Sequence, residues 1–181
     1  MLQNITETLD YIYSFVNHES NLNSKYFNKD YSLLGITNLL NHFDNPHLNK
    51  QIIHIAGTKG KGSTSFMVSK LLMEIGFDVA TFVSPHLLRP NERILFNLTE
   101  IGDNDLIEIT NYIKIILEKY SLRPTTFELF FLIYLLYGDK NRANYFVVEV
   151  GLGGRLDCTN IVTPAVSVIT SIGYDHTDIL G

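Results

Sequence analysis

Short, mostly apolar segments alternate along this chain with longer segments whose apolar residues recur at helical spacing. The apolar segments lie at residues 52–56, 79–83, 94–96, 145–148 and 165–169. Their length and uniform apolarity predict strands that are buried on both faces, as in a parallel sheet. The amphipathic segments between them predict helices that cover the sheet. We therefore expect the α/β class, with a mostly parallel sheet and helices on both of its faces.

Helix ends are predicted from residue types that satisfy free backbone groups. Thr6 is expected to cap the first helix, and Asp105 stands three residues before a glutamate, which is the spacing of a capping box. The polar, asparagine-rich residues 17–30 predict a loop. Further helices are predicted from apolar spacing within residues 33–43, 68–75 and 127–137. We expect a helical lead-in over residues 1–50, followed by the sheet over residues 51–181.

Composition and charge exclude several classes of protein. With 181 residues, of which 45% are hydrophobic and 18% charged, the chain can bury the core of one ordinary domain and is not a disordered sequence. Its 19 acidic and 14 basic residues give a formal net charge of −5, which provides no general attraction for nucleic acid or an anionic membrane. We therefore expect neither as a partner.

The chain shows no sign of export or membrane insertion. The longest apolar run, residues 129–137, is shorter than the ~20 residues that a membrane-spanning helix needs, and it predicts a buried helix. The first residues lack the basic and apolar regions of a signal peptide. A single cysteine, Cys158, excludes an intrachain disulfide and fits a reducing compartment. We expect a cytoplasmic protein.

Residues that can do chemistry follow the predicted strands. A segment rich in glycine and lysine begins at Gly57, after the first strand, and Ser84 follows the second strand. Glu149 follows the strand at residues 145–148, and His176 comes after the last strand. Ligands of open α/β sheets bind outside the carboxyl ends of the strands. These distant residues are therefore expected to share one site. His54, inside an apolar strand, is instead expected to be a hydrogen-bonded core residue.

The segment after the first strand predicts a phosphate-binding loop. Glycines let the backbone N–H groups face inward, the following helix presents its positive end, and Lys61 can add a charge. Ser63 or Thr64 could bind Mg²⁺. The segment departs from the strict Walker pattern, because Ile55 replaces the first glycine and Gly62 follows the lysine. The alternative is a plain glycine-rich turn. The predicted phosphate-binding residues are Gly57, Thr58, Lys59, Gly60, Lys61, Gly62, Ser63 and Thr64.

Ser84, Glu149 and His176 predict a site for a hard divalent cation beside the phosphates. Mg²⁺ prefers oxygen ligands and keeps several waters, so one hydroxyl, one carboxylate and one imidazole would be a sparse set. Each residue also has a simpler interpretation. A glutamate at a strand end is commonly a salt-bridge partner, and a loop histidine commonly bonds only to its neighbours.

Several long motifs occur in the order typical of one family. They lie at residues 54–64, 84–87, 91–94, 149–160 and 175–177. With these motifs the chain resembles the folylpolyglutamate synthase/dihydrofolate synthase family, which is related to the Mur ligases. Two positions depart from the family pattern: Lys59 stands where asparagine is usual, and Cys158 where a small alanine or serine is usual.

The resemblance implies a P-loop NTPase-like fold of the Mur ligase central-domain type, incomplete at its C-terminus. It also implies a reaction in which ATP and Mg²⁺ join L-glutamate to the carboxylate of dihydropteroate or folate through an acyl phosphate. By the same resemblance Lys61, Glu149 and His176 are catalytic, the eight loop residues bind ATP, and Ser84, Glu149 and His176 hold Mg²⁺. The residues implied to contact the pterin are Pro85, His86, Arg93, Thr125, Phe127 and Asp157.

Members of this family are longer than the present sequence. The resemblance therefore implies that these 181 residues are a partial N-terminal ATP-binding domain without the C-terminal glutamate ligase domain, and inactive alone. The full-length protein is expected to be a monomer. Two alternatives stay open: a Mur-type ligase that acts on another carboxylate, and a non-catalytic module that binds Mg-ATP.

Overall fold

The computed structural model describes residues 1–17 and 32–177, so the loop predicted at residues 17–30 lies almost entirely outside the described residues. The helices are α1 (Ile5–Tyr13), α2 (Leu34–Asn41), α3 (Lys61–Glu74), α4 (Asp103–Tyr120) and α5 (Thr126–Lys140). The strands are β1 (Gln51–Ala56), β2 (Val79–Phe82), β3 (Ile94–Phe96), β4 (Thr99–Glu100), β5 (Tyr145–Glu149) and β6 (Val166–Ile169). Short 3₁₀ turns cover Pro90–Arg93 and Cys158–Ile161.

The strands form one mixed sheet in the order β4-β3-β2-β5-β1-β6. β2, β5, β1 and β6 run parallel to one another, whereas β3 is antiparallel to β2 and β4 is antiparallel to β3. The predicted α/β class and the five predicted strands are therefore confirmed. β4 was not predicted, because a strand of two residues carries no periodic pattern.

Helices lie on both faces of the sheet, as predicted, but the prediction that every strand is buried on both faces is wrong for the edge strand β6, which is largely exposed. On one face, Val68 and Leu72 of α3 pack against a small core that includes Ile55. On the other face, α5 and its neighbouring helices pack in a larger core that includes Ile52 and Phe82. Successive residues of a strand point to opposite faces, which explains why one strand contributes to both cores.

The apolar run at residues 129–137 lies within α5, as predicted, and is buried on nearly all sides. Such a helix lies between the sheet and other helices, and α5 indeed contacts β2 and β3 as well as α1 and α4. Across residues 1–17 and 32–177, no helix is both long and apolar enough to cross a membrane.

The lead-in helices pack into the larger core. α1 contributes Ile12, and α2 contributes Ile36 and Leu40, all of which are completely buried beside residues of α5. α1 also packs along α4. The division of the chain at residue 50 stays a prediction.

Two predicted helix starts are wrong. Asn4, not Thr6, caps α1, since its side chain accepts a hydrogen bond from the backbone N–H of Glu7. α4 begins at Asp103 after a glycine cap, so Asp105 lies inside the helix. Its carboxylate instead accepts a hydrogen bond from the ammonium group of Lys140 at 2.9 Å. A tertiary ion pair thus explains an acidic residue that the sequence pattern assigned to a cap.

Candidate functional site

The segment between β1 and α3 forms the curled loop that the sequence predicts. Gly57 and Gly60 have φ angles of 136° and 82°, which only glycine adopts without strain. Gly60 is the N-cap of the 14-residue α3 and provides no side chain to cover its first turn. An anion can therefore approach the positive end of the α3 dipole and the first backbone N–H groups of the helix, except that of Gly62, which serves the Glu149 carboxylate. This geometry favours a phosphate site over a plain turn.

Lys61 is the first residue of α3, and the two hydroxyl residues that follow it differ in availability. The Thr64 hydroxyl donates to the carbonyl oxygen of Gly60 at 2.8 Å, so it is engaged within the helix. Ser63 is exposed, and its hydroxyl makes no hydrogen bond with any residue that the structure describes. Ser63 is therefore the better candidate of the two for a ligand of a bound cation.

The segment after β6, the strand next to β1, forms hydrogen bonds to the predicted phosphate-binding loop, and the sequence did not predict this connection. The backbone N–H of Thr58 donates to the carbonyl oxygen of Ser171 at 2.7 Å. The Thr58 hydroxyl is 3.0 Å from both the backbone nitrogen and the carbonyl oxygen of Gly173. The Thr170 hydroxyl donates to the carbonyl oxygen of Lys59 at 2.8 Å. The only sequence signal for this connection is the Thr-Ser pair directly after β6.

The Lys59 ammonium group lies 3.1 Å from a carboxylate oxygen of Asp175. Because the Lys59 side chain is 78% exposed, solvent screens this pair and it contributes little to stability. The lysine that departs from the family pattern therefore adds a contact between the phosphate-binding loop and the segment after β6.

A cavity of about 290 Å³ opens beside the loop. Three parts of the chain line it: the end of β1 with the phosphate-binding loop, the glycine segment at residues 151–153, and the segment after β6. Lys61 and His176 are both on its wall. The structure thus brings together the carboxyl ends of β1, β5 and β6, as the sequence predicts.

Glu149 is the last residue of β5 and only 5% exposed. Burial raises the pKa of its carboxyl group, while the N–H groups of Ser84 and Gly62 and the charge of Lys61 act in the opposite direction. The N–H of Ser84 donates to the carboxylate at 3.0 Å. Within the described part of the chain Glu149 forms no ion pair, so the salt-bridge interpretation is not supported. A carboxylate with little water around it is a favourable ligand for a hard cation.

The structure joins two of the three residues predicted to hold a metal. Ser84 is joined to Glu149 by the hydrogen bond described above, whereas His176 lies on the cavity wall with Lys61, and its side chain is 51% exposed. No group of three or more histidine, cysteine, aspartate or glutamate side chains in residues 1–17 and 32–177 has the geometry of a metal site. Mg²⁺ needs few protein ligands, so two of these residues with water would suffice. Binding of one ion by all three stays a prediction.

One group of predicted pterin residues surrounds a buried arginine. Arg93 is 2% exposed, and its Nε donates to Nδ1 of His86 at 2.9 Å. The guanidinium carbon lies 5.1 Å from the centre of the Phe130 ring, a favourable cation–π distance. Pro85 follows a cis peptide bond with Ser84. These contacts place a fixed positive charge beneath the segment that follows β2.

The other group lies at the start of α5. The Thr125 hydroxyl accepts a hydrogen bond from the backbone N–H of Glu128 and caps the helix. Phe127 lies against Gly151, where an added Cβ would be 2.5 Å from Cζ of the ring and 3.0 Å from Oδ2 of Asp157. Phe127 and Asp157 therefore both lie next to Gly151, which lines the cavity.

Comparison with known proteins agrees with this geometry. The Mur ligase middle domain matches residues 55–181. Bacillus subtilis dihydrofolate synthase/folylpolyglutamate synthase is 38% identical over 148 residues, which are 79% of this chain and 34% of that protein. Among solved structures, an FPGS–AMPPCP–folate complex has a TM-score of 0.90 at 33% identity, and the match covers 99% of this chain and 43% of that chain. Mycobacterium tuberculosis folylpolyglutamate synthase complexed with ADP has a TM-score of 0.84 at 28% identity, covering 98% and 38% of the two chains.

The chain spans about a third of the length of its Bacillus relative. The family model matches well over half of the chain, and the solved structures share its fold from end to end. The chain therefore belongs to the Mur ligase family, through its middle domain, and its matched relatives are folylpolyglutamate and dihydrofolate synthases.

Proposed function

We propose that this chain is the phosphate-binding part of an ATP-dependent ligase that joins L-glutamate to the carboxylate of dihydropteroate or folate. The observation that carries the proposal is the buried Glu149 carboxylate beside Lys61 and the glycine loop. The names of the matched relatives supply the substrates, and AMPPCP and ADP occur in complexes of two of them.

In the proposed reaction, Lys61 and the backbone N–H groups of the loop bind the triphosphate of ATP. A carboxylate oxygen of the pteroate compound forms a bond to the γ-phosphorus, the bond from that phosphorus to the bridging oxygen breaks, and ADP leaves. The amine of glutamate then attacks the carbonyl carbon of the acyl phosphate and loses a proton, and phosphate leaves. Lys61 lowers the barrier because its charge stabilises the negative charge that develops on the transferred group.

The residues present fit a magnesium ion. Glu149 offers a desolvated carboxylate, and the hydroxyl of Ser84 makes no hydrogen bond with residues that the structure describes. Ser84 and Glu149 would hold the ion, with His176 as the third proposed ligand. When bound, Mg²⁺ would neutralise phosphate charge during transfer.

The proposed pterin site lies on the two groups of residues near α5. The Phe127 ring provides an apolar face, Asp157 an acceptor for N–H groups of the pterin, and Thr125 a hydroxyl at the same end of the helix. His86 and Pro85 belong to the segment over Arg93, whose positive charge suits a substrate that carries a carboxylate.

The remaining features of the proposal come from the resemblance, except the cytoplasmic location, which comes from the sequence composition. They are a monomeric, cytoplasmic enzyme, a dependence on a further C-terminal domain, and no activity of these 181 residues alone. Two alternatives remain to be tested: a Mur-type ligase that acts on another carboxylate, and a non-catalytic module that binds Mg-ATP. An assay of substrate dependence distinguishes both from the proposed ligase.

The test is ADP release by the complete gene product, measured with and without dihydropteroate or folate and with and without glutamate. ADP release that requires both substrates, with a glutamylated product identified by mass spectrometry, supports the proposal. Lys61→Ala should lower kcat at least about 100-fold, as loss of a group that stabilises transition-state charge does. Lys70→Ala is the matched control, because Lys70 lies on the same helix and forms an exposed ion pair with Glu74. ATP binding without substrate-dependent turnover would contradict the ligase.

A further inference from the structure

Three buried polar side chains, linked by hydrogen bonds, connect β1 to the segment that follows β5. Nε2 of His54 lies 2.9 Å from Oγ1 of Thr159, and that oxygen lies 2.5 Å from Oδ1 of Asp157. The three residues are 8%, 0% and 7% exposed in that order. As predicted, His54 is a hydrogen-bonded core residue. His54 and Thr159 are separated by 105 residues in the sequence, so no local pattern could reveal their contact.

The direction of these hydrogen bonds follows from counting protons. The Thr159 hydroxyl has one hydrogen and donates it to the carboxylate of Asp157. It must therefore accept the bond from His54, which carries its proton on Nε2. Burial lowers the pKa of His54, although the charge of Asp157 opposes this effect. His54 is thus a neutral donor, and its ring holds the threonine hydroxyl in the orientation that serves Asp157.

Asp157 has one acceptor position left. Its Oδ1 accepts from both the hydroxyl and the backbone N–H of Thr159, and its Oδ2 accepts from the backbone N–H of Leu152 at 2.9 Å. A carboxylate offers about four acceptor positions, so the residues that the structure describes leave a single position on Oδ2 open. That oxygen lies beside Gly151, against which the Phe127 ring packs.

We propose that His54 is a positioning residue for the pterin-type substrate, an inference that rests on the proposed function. Through Thr159 it fixes the Asp157 carboxylate, so that the open position on Oδ2 meets an N–H group of a ring lying on Phe127. His54 itself does not touch the substrate. Because β1 ends at Ala56, directly before the phosphate-binding loop, the same strand aligns the nucleotide side and the pterin side of the site.

His54→Leu in the complete gene product tests the inference, because leucine fills a similar volume without a donor. We expect the KM for dihydropteroate or folate to rise about tenfold, the effect of losing one well-placed hydrogen bond near a charge. The KM for ATP should stay within about twofold, since the phosphate-binding loop is unchanged. His54→Gln, which offers an N–H at similar reach, should recover most of the affinity.

The Thr159 position provides an independent pair. Thr159→Ser keeps the hydroxyl and should resemble the wild type, whereas Thr159→Val keeps the shape, loses the hydroxyl and should raise the same KM. This pair decides the question if His54→Leu does not fold.

Two results would overturn the inference while leaving the proposed function intact. An unchanged KM for the pteroate substrate in an active His54→Leu enzyme would show that Asp157 needs no positioning by His54. An equal rise in the KM for ATP would show that His54 only stabilises β1. A wild-type protein that neither binds nor ligates any pteroate compound would instead overturn the proposed function, and the inference with it.

Discussion

Alanine substitutions of Gly57 and Gly60 test the geometry of the predicted phosphate-binding loop. Both residues have positive φ angles, but only Gly57 is crowded by neighbouring atoms. A Cβ on Gly57 would lie 2.0 Å from Oγ1 of Thr170 and 3.1 Å from the backbone nitrogen of the same residue. Nothing lies within 4 Å of a Cβ on Gly60. Gly57→Ala should therefore push the loop away from the segment after β6, whereas Gly60→Ala should leave the loop in place.

The two substitutions should differ in their effect on the free energy of unfolding. Left-handed backbone costs an alanine about 1–2 kcal/mol, which is the whole cost expected at Gly60. At Gly57, backbone strain costs about 1–3 kcal/mol, and the forced shift of Thr170 adds about 1–3 kcal/mol. The expected destabilisation by Gly57→Ala is therefore about 2–6 kcal/mol.

Urea-induced unfolding of the complete gene product measures this difference, and ATP binding measures its consequence for the site. Gly57→Ala should weaken ATP binding more than Gly60→Ala does. Adding Thr170→Ala to Gly57→Ala removes the oxygen that lies nearest to the new Cβ, so part of the lost stability should return. Equal unfolding free energies for the two single variants, with no recovery in the double variant, would refute the packing argument.

Two further predictions concern a buried carboxylate and a helix cap. Burial raises the pKa of the Glu149 carboxyl group above its ordinary value of 4.5. The carboxyl group therefore contributes most to the stability of the folded protein below pH 4.5, and this contribution is lost as the pH rises through the folded-state pKa. In the absence of Mg²⁺, Glu149→Gln should therefore raise the melting temperature at neutral pH while abolishing Mg²⁺-dependent ATP binding, and a lower melting temperature would contradict this reasoning. Thr125→Ala should lower the unfolding free energy by about 0.5–2 kcal/mol through loss of the α5 cap. Thr125→Ser, which keeps the hydroxyl, should cost less, and equal losses in denaturant unfolding would argue against capping.

The sequence alone determined the class of fold and the position of the glycine-rich loop between β1 and α3. Parallel strands are mostly apolar, so β1, β2, β5 and β6 could be located without knowledge of their partners, although β6 is largely exposed. The loop could be located because its chemistry is local: glycines with positive φ, a lysine, and the start of a helix stand next to one another in the chain. The ends of strands then indicated Ser84 and Glu149, which the structure joins by a hydrogen bond.

One of the two wrong helix starts arose because a residue's partner is distant in sequence. Asp105 has the type and spacing of a cap, yet its carboxylate binds Lys140, and α4 starts two residues earlier. Thr125 matched a substrate-binding position of the family, and the structure adds a local capping role. Residue type indicates which interactions a side chain can make, but the fold determines which partners are available.

Only the tertiary structure decided how the separate motifs combine. The order of strands places β5 between β2 and β1, and this order depends on crossover connections that leave no periodic signal. The contact of Gly57 with Thr170 and the link from His54 through Thr159 to Asp157 join parts of the chain more than 100 residues apart. Hydrogen-bonding potential is a property of each residue and can be read locally. Mutual distance and burial are properties of the packed chain, and they determine which of these groups form the site.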